Sequence, residues 1–135
     1  MLTEGAGIPL AARVSAANVH DVRMLLPTLT ACPLAGYGGR GKTPRRLLAD
    51  RAYDSEGHEA VVRWVGIRPE FAQRGAPHGS GLGRERYVVE RTIAGLHHNR
   101  RLKVRYERRS DIHQGFLTLA CIKLCWYRLD PKRKR

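Results

Sequence analysis

The sequence predicts an α/β fold from the order of three adjoining segments. Residues 46–50 and 67–71 are short and apolar enough to form strands. Between them, Ser55 or Asp54 can cap a helix that Gly66 ends. A strand, a helix and a strand in this order normally form a right-handed parallel unit. At 135 residues the chain holds one domain at most.

The segments before this unit predict one strand, one short helix and a loop. Residues 8–15 alternate loosely between apolar and other side chains, as a strand does. Asn18 and Asp21 are candidate N-caps for a helix whose second half is disfavoured by Pro27. Residues 32–44 carry several glycines and no apolar period, which indicates a loop.

The segments after the unit predict a loop and a pair of C-terminal helices. Residues 73–83 are glycine-rich and form the loop, and a helix follows over about residues 84–97. Asp111 is a candidate cap for the last helix, and residues 130–135 form a basic tail that we expect to be disordered. The fold-bearing part is therefore predicted to span residues 1–129.

The helix over residues 84–97 has a predicted buried stripe of Val89, Ile93 and Leu96. At 100° per residue, Arg86, Glu90 and His97 fall within roughly 40° of one another beside that stripe. Glu90 thus lies at the border of the packed face, where a carboxylate can reach a strand end without being buried unpaired.

The charge balance favours a polyanion as partner. Lysine and arginine number 25 against 12 acidic residues, which gives +13 and a pI near 10.7. An arginine-rich proteome would explain the bias without any function, but the clustering of basic residues argues against that alternative. The cluster consists of Arg100, Arg101, Lys103, Arg105, Arg108 and Arg109, which we predict to contact DNA phosphates.

Cysteine use and hydropathy exclude several classes of protein. Cys32, Cys121 and Cys125 are odd in number and form no CxxC pair, so neither a disulfide framework nor a zinc site is predicted. This pattern favours a reducing cytoplasm. The apolar run over residues 116–126 is too short to cross a bilayer, so we expect no contact with a membrane.

Two acidic residues are the candidates for chemistry. Asp50 stands where the strand LLA ends, and Glu90 stands among arginines. Carboxylates from different elements can hold the divalent ions that activate a nucleophile and stabilise a leaving oxygen on a phosphodiester. The plain alternatives are that Asp50 caps the next turn and that Arg86 is the helix partner of Glu90 at four residues' distance.

Five segments in order resemble the catalytic domain of bacterial insertion-sequence transposases of the DDE type. They are GIPLAARVSAANVHD, ADRAYDS, RGAPHGSGLGR, RYVVERT and RRLKVRYERRSDIHQGFLTLACIKLCW. The resemblance covers almost the whole chain. It implies an RNase H-like fold and a metal-dependent DNA-processing site with Mg²⁺ or Mn²⁺ as cofactor.

The resemblance assigns roles to particular positions. Asp50 matches the second acid of the triad and Glu90 the third, so both are implied to be catalytic and metal-binding. Arg86 matches the arginine of the helix signature. His97 stands where the signature has a lysine or arginine, so a supporting role is expected for it. Tyr53 matches an aromatic position that we interpret as packing first and DNA contact second.

The first acid of the triad has no match in this chain. In the family it lies on the first, central strand, upstream of the segment GIPL, and we interpret neither Glu4 nor Asp21 as its replacement. The expected fold is therefore an incomplete RNase H-like fold that lacks this strand, with a C-terminal helical pair. Hydrolysis and strand transfer at insertion-sequence ends would then require the upstream half, fused or in trans.

The resemblance leaves two functions open. One is half of a working transposase, which acts with its upstream half and in a homo-oligomer on DNA ends in the bacterial cytoplasm, at the nucleoid. The other is a catalytically dead remnant that binds DNA non-specifically through its basic surface. A basic RNA-binding protein is a third and weaker interpretation, favoured only by charge and by tyrosines among the arginines.

Overall fold

The computed structural model describes residues 1–32, 44–73 and 82–129, without the side chains of residues 82–86. Most of the two predicted loops, the whole basic tail and the Arg86 side chain therefore lie outside the described residues. The strands are β1 (Leu2–Thr3), β2 (Pro9–Ala11), β3 (Arg46–Ala49) and β4 (Arg68–Phe71). The helices are α1 (Leu25–Thr30), α2 (Glu56–Trp64), α3 (Leu82–His97), α4 (Arg100–Lys103) and α5 (Ser110–Leu129), with short 3₁₀ turns at Asp21–Met24 and Arg51–Tyr53.

The predicted parallel unit is confirmed. Strands β3 and β4 pair in parallel with Leu47 opposite Pro69, and α2 connects them. The helix is capped as expected: the Ser55 hydroxyl accepts a hydrogen bond from the His58 amide, and Gly66 follows with a φ of +80°.

The hydrogen bonds between β3 and β4 also show which backbone groups lie at the two outer edges of this sheet. The amides of Arg68 and Ala72 donate to the carbonyls of Arg45 and Ala49 at 3.1 and 3.2 Å. Because backbone groups alternate along a strand, those of Leu48 point to the opposite edge of β3, and the nitrogen of Pro69 points to the outer edge of β4. Proline there is typical of a sheet edge.

Strands β1 and β2 form a separate antiparallel hairpin. The expected strand over residues 8–15 is shorter, and β1 was not predicted. The side chain of Gln114 binds the backbone that follows β2. Its amide nitrogen donates to the Ala12 carbonyl at 2.9 Å, and its oxygen accepts from the Val14 amide at 2.8 Å. The backbone after β2 is thus bound by α5 rather than by a strand.

Helix α3 contacts both sheets, which are not hydrogen-bonded to each other within the described ranges. Its Thr92 is 2 % exposed, and its hydroxyl donates toward the carbonyls of Gly7 and Val88 at 3.0 and 2.9 Å. Two arginines bind the neighbouring carbonyl of Ala6: Arg91 at 3.3 Å and Arg128 at 2.6 Å. The turn between β1 and β2 is therefore fixed to α3 and α5.

The main core lies between the parallel unit and α1. Its buried members are Leu25, Leu29, Leu47, Val62, Ile67 and Phe71. Tyr53 packs against this cluster with its ring 6.5 Å from that of Phe71, which agrees with the packing role expected for it.

Two predictions about the helices were wrong, those for Asp111 and Ile93. The short helix expected near Pro27 is present: α1 continues past the proline to Thr30, because Pro27 is its third residue and no helical hydrogen bond is lost there. Helix α5 begins at Ser110, so Asp111 lies in the first turn and is not the cap. Ile93 is 39 % exposed, whereas Leu96 is buried as expected.

We expect Gly7→Ala to lower the free energy of unfolding by about 1–2 kcal/mol. Gly7 has a φ of +88°, and a Cβ there would approach the Thr92 hydroxyl to 3.0 Å. The matched control is Gly57→Ala in α2, where a Cβ meets nothing within 4 Å. Urea unfolding followed by circular dichroism measures both variants, and an equal effect of the two would contradict the role given to the turn.

Candidate functional site

A cavity of about 430 Å³ lies between the two sheets. Its walls come from β1, β3, α1 and α3, with Leu2, Leu25, Leu48 and Val89 among the apolar lining residues. Asp50 and Glu90 both line this cavity. The structure thus brings to one cavity the two acids that are forty residues apart in sequence.

Asp50 is placed by the end of β3. Its carboxylate accepts a hydrogen bond from the Arg51 amide at 2.6 Å and so caps the 3₁₀ turn that follows. Tyr53 in that turn also lines the cavity, and burial, followed by the charges of Asp21 and Asp50, raises the pKa of its phenol. The capping role expected for an isolated aspartate is therefore confirmed, and Asp50 is exposed.

Glu90 is placed by α3 and is exposed. Ile93, one turn further, lies between this cavity and a second, smaller one of about 180 Å³. His97 lines the second cavity, beside Leu102 and His113. The structure therefore does not bring His97 to the cavity of Glu90 and Asp50, and its supporting role stays a prediction.

Two charged residues on the larger cavity were not predicted to belong to the site. Asp21, which we do not interpret as a replacement for the first acid, lines the cavity at the start of the first 3₁₀ turn. Arg13 lines both cavities, and its guanidinium lies 3.5 Å from the Pro27 carbonyl. Both residues lie in the segment GIPLAARVSAANVHD, but nothing in that segment singles them out, because they reach the cavity only through the path of the chain after β2.

The acids of this cavity form an incomplete ligand set for a metal. Among the described residues, no three His, Cys, Asp or Glu side chains converge in a way that could hold an ion. Asp50 and Glu90 supply hard oxygen donors of the kind that divalent cations prefer. Together they fit part of such a site and leave the remaining ligands to be supplied.

The basic segment forms α4 and the loop that leads to α5. Arg101 pairs with Glu107, and its guanidinium lies 5.2 Å from the Phe116 ring centroid. Arg105 donates to the Glu107 carbonyl at 3.0 Å. Arg109 holds the Asp111 carboxylate through two hydrogen bonds of 3.1 and 2.6 Å. These three arginines are therefore engaged within the chain.

Glu107 is the centre of this network. Its side chain is 5 % exposed, and the hydrogen bond from Arg101 holds the pKa of its carboxyl below the usual value. Its second oxygen lies 3.5 Å from Nδ1 of His113 in α5. The network ties the segment after α4 to α5.

The other three basic residues are more available. Arg100 lies 5.9 Å from the Tyr106 ring centroid. In the described part of the chain, Lys103 and Arg108 make no side-chain hydrogen bond or ion pair, and both are exposed. The six residues predicted to contact DNA thus divide into an engaged set and an available set.

The cysteines are free. Burial, and then the neighbouring Cys125 thiol, raise the pKa of Cys121, which makes its thiolate scarcer. No helix in the described ranges is both long and apolar enough to cross a membrane.

Residues 1–125 match the family of the transposase DDE domain, and the chain belongs to this family of insertion-sequence transposases. A curated relative is "Putative transposase for insertion sequence element IS402" of Burkholderia cepacia, which is 52% identical over 128 residues. The match covers 93% of this chain and 61% of that protein, so the chain spans about three fifths of its relative's length. No solved structure matches. Transposases of this family normally use a divalent metal ion.

Glu107→Gln should destabilise the protein at neutral pH and lose this effect in acid. The folded-state pKa of Glu107 lies below its ordinary value of 4.5, so its contribution is complete above that value and disappears as the pH falls through the folded pKa. Urea unfolding of wild type and variant at about pH 7, 5 and 3.5 measures the difference.

The control for this prediction is Glu59→Gln in α2. Glu59 pairs with Arg63 at 2.6 Å on the surface, a helix pair that contributes only about 0.2–0.5 kcal/mol. A pH-independent cost of Glu107→Gln would show that the side chain acts through packing alone.

Proposed function

We propose that this chain is the catalytic-domain portion of an insertion-sequence transposase, with residues 1–129 as the domain and residues 130–135 as a basic tail. Asp50 and Glu90 would bind Mg²⁺ or Mn²⁺ and support phosphodiester hydrolysis and strand transfer at insertion-sequence ends. The observation that carries the proposal is that both carboxylates line one cavity although they come from different elements. The full reaction requires an upstream half, fused or supplied in trans.

The shape of the cavity supports a strand as the missing component. β1 and β3 both line it, and in the described part of the chain each pairs on one side only. The backbone groups of Leu48 point to the unpaired edge of β3, whereas Pro69 blocks growth beyond β4. A strand inserted between the sheets would join them and could end on a third carboxylate beside Asp50.

The chain's own residues would position the DNA rather than supply a nucleophile. A divalent ion held by Asp50 and Glu90 would supply the activation of the attacking water or hydroxyl and the stabilisation of the leaving oxygen. Asp50 and Glu90 would each supply a carboxylate ligand to that ion. Arg13 and Tyr53 also line the cavity, and the Arg13 guanidinium would bind a phosphate of the DNA. We expect this reaction to take place in the bacterial cytoplasm, at the nucleoid.

A second function is favoured by one observation. No three metal-ligating side chains converge among the described residues, so that part of the chain does not form a complete metal site. A catalytically inactive remnant would then keep only non-specific DNA binding through its basic surface, which the net charge of +13 supports.

The two functions separate in an assay on labelled terminal-repeat DNA. The chain alone should neither cleave nor join DNA, whereas a fusion to the polypeptide encoded directly upstream should do so with Mg²⁺. Asp50→Asn or Glu90→Gln in the fusion should lower the rate by at least about a hundredfold. The control is Glu56→Gln, an exposed acid in α2 away from the cavity. An upstream frame interrupted by stop codons, or an inactive fusion, would support the remnant.

DNA binding should fall steeply with salt between about 50 and 200 mM, and its salt slope should depend on the available cations. Lys103→Ala and Arg108→Ala should each reduce the slope by about one, as expected for a lost phosphate contact. Arg109→Ala is the matched control, since its guanidinium is already held by Asp111. Fluorescence anisotropy with labelled duplex measures all three, and equal slopes for the three variants would contradict the division of the basic residues.

A further inference from the structure

Helix α5 carries a second apolar face on the side away from the rest of the domain. Its members are Ile112, Leu119, Ile122, Trp126 and Leu129, whose exposed fractions run from 45% at Ile112 to 73% at Leu129. The opposite side of the helix provides the packing, with Ala120 buried and Leu124 in contact range of Gly95 in α3. α5 is therefore apolar on two faces, and packing within the described residues explains only one.

The spacing of this face is regular. Ile112, Leu119 and Trp126 are seven residues apart, and Ile122 and Leu129 follow the last two by three. Gly115 occupies the remaining position, three after Ile112. This is the pattern of a helix that pairs with another helix, and it spans about 100° of the helix surface. We call these six residues the outer stripe.

We propose that the outer stripe is a homodimer interface in which α5 pairs with α5 of a second copy in antiparallel orientation. Pairing residues whose numbers sum to 241 places each stripe residue opposite another stripe residue. Ile112 faces Leu129 of the partner subunit, Leu119 faces Ile122 of the partner subunit, and Gly115 faces Trp126 of the partner subunit. A two-fold axis between residues 120 and 121 generates the same contacts on both sides.

The sizes of the paired side chains favour this orientation. In the antiparallel dimer the largest residue of the stripe, Trp126, meets the smallest, Gly115, once on each side of the two-fold axis. A parallel dimer would place glycine against glycine and tryptophan against tryptophan, which leaves a hole in one layer and overfills another. The side-chain sizes along the outer stripe are therefore complementary between two copies only when the two helices are antiparallel.

Gly115 has no other role in the described structure. It is exposed, lies inside a helix, and a Cβ built on it meets nothing within 4 Å. Its φ is not positive, so the backbone does not require glycine. Glycine weakens a helix interior, and the space that a partner's tryptophan needs accounts for its presence.

The area and charge of the stripe allow a dimer of moderate strength. Five large side chains with on the order of 100 Å² exposed each present roughly 500 Å² per copy, or about 1,000 Å² in the dimer, near the lower limit for a specific interface. The net charge of +13 on each copy opposes association. Salt should therefore favour the dimer by screening, opposite to its effect on DNA binding.

Sedimentation equilibrium of the nuclease-treated 135-residue chain tests the proposal. We expect a dimer at micromolar concentration whose dissociation constant does not rise between about 150 and 500 mM NaCl. Trp126→Ala should raise that constant at least about tenfold. A monomer at all concentrations up to about 100 µM would overturn the proposal.

Gly115→Leu separates this interface from general stickiness. The added side chain enters open space in the single copy, so circular dichroism should show an unchanged or more stable fold. It clashes with Trp126 of the partner subunit, so the dimer should weaken, and the double variant Gly115→Leu with Trp126→Ala should recover it. Stronger association of Gly115→Leu would mean non-specific apolar contact and would overturn the proposal.

Disulfide formation tests the orientation. Mixing Ile112→Cys with Leu129→Cys should give a cross-linked heterodimer on oxidation, mapped by mass spectrometry against the background of the native cysteines. Each variant alone should not link through the new residue, because residues 112 of the two copies would lie roughly 25 Å apart along the helices. Self-linking of Ile112→Cys would indicate parallel pairing and contradict the model. None of these outcomes depends on the proposed function.

Discussion

The relative position of the two sheets depends on the hydrogen bond from the buried Thr92 hydroxyl to the Gly7 carbonyl. The two sheets share no hydrogen bond in the described residues, so their relative position is fixed by elements that touch both. Helix α3 does so, and Thr92 fixes it to the hairpin through the Gly7 carbonyl. Glu90 lies two residues earlier on the same helix, whereas Asp50 belongs to the other sheet. The geometry of the candidate site is thus set by packing onto α3 rather than by a continuous sheet.

The basic segment shows how arginines of similar sequence context acquire different roles. Arg101 and Arg109 are paired with Glu107 and Asp111, so part of their charge is already used to hold the loop against α5. Lys103 and Arg108 have no such partner among the described residues. A segment with six basic residues therefore presents fewer than six available cations. The ion pairs of the others hold the loop in place.

Much of the fold was predictable where the signals are local. The parallel unit carries its own strand ends, cap and terminating glycine, so its boundaries follow from residues 46–71. The hairpin did not follow from local signals, because the backbone at Ala12 and Val14, which was expected to continue a strand, is bound by Gln114 about a hundred residues away. Helix α4 was also missed, and α5 begins at Ser110 rather than after Asp111.

The candidate site was predictable only in part for the same reason. Asp50 and Glu90 were selected through the resemblance, and the structure places both on one cavity. Arg13 and Asp21 also line that cavity, which the sequence did not predict, because only the tertiary path of the chain brings them there. His97 was grouped with Glu90 by helical angle, but it lies about two turns further along α3 and lines a different cavity.

The unequal edges of the β3–β4 sheet also affect how the chain folds. This unit is local in sequence, so we expect it to form early, before any strand has covered the edge of β3. During that interval the exposed backbone of Leu48 can pair with the same segment of another molecule, whereas Pro69 protects the opposite edge. Aggregation of this protein during synthesis would therefore proceed through one edge of one strand, and its yield would depend on how soon that edge is covered.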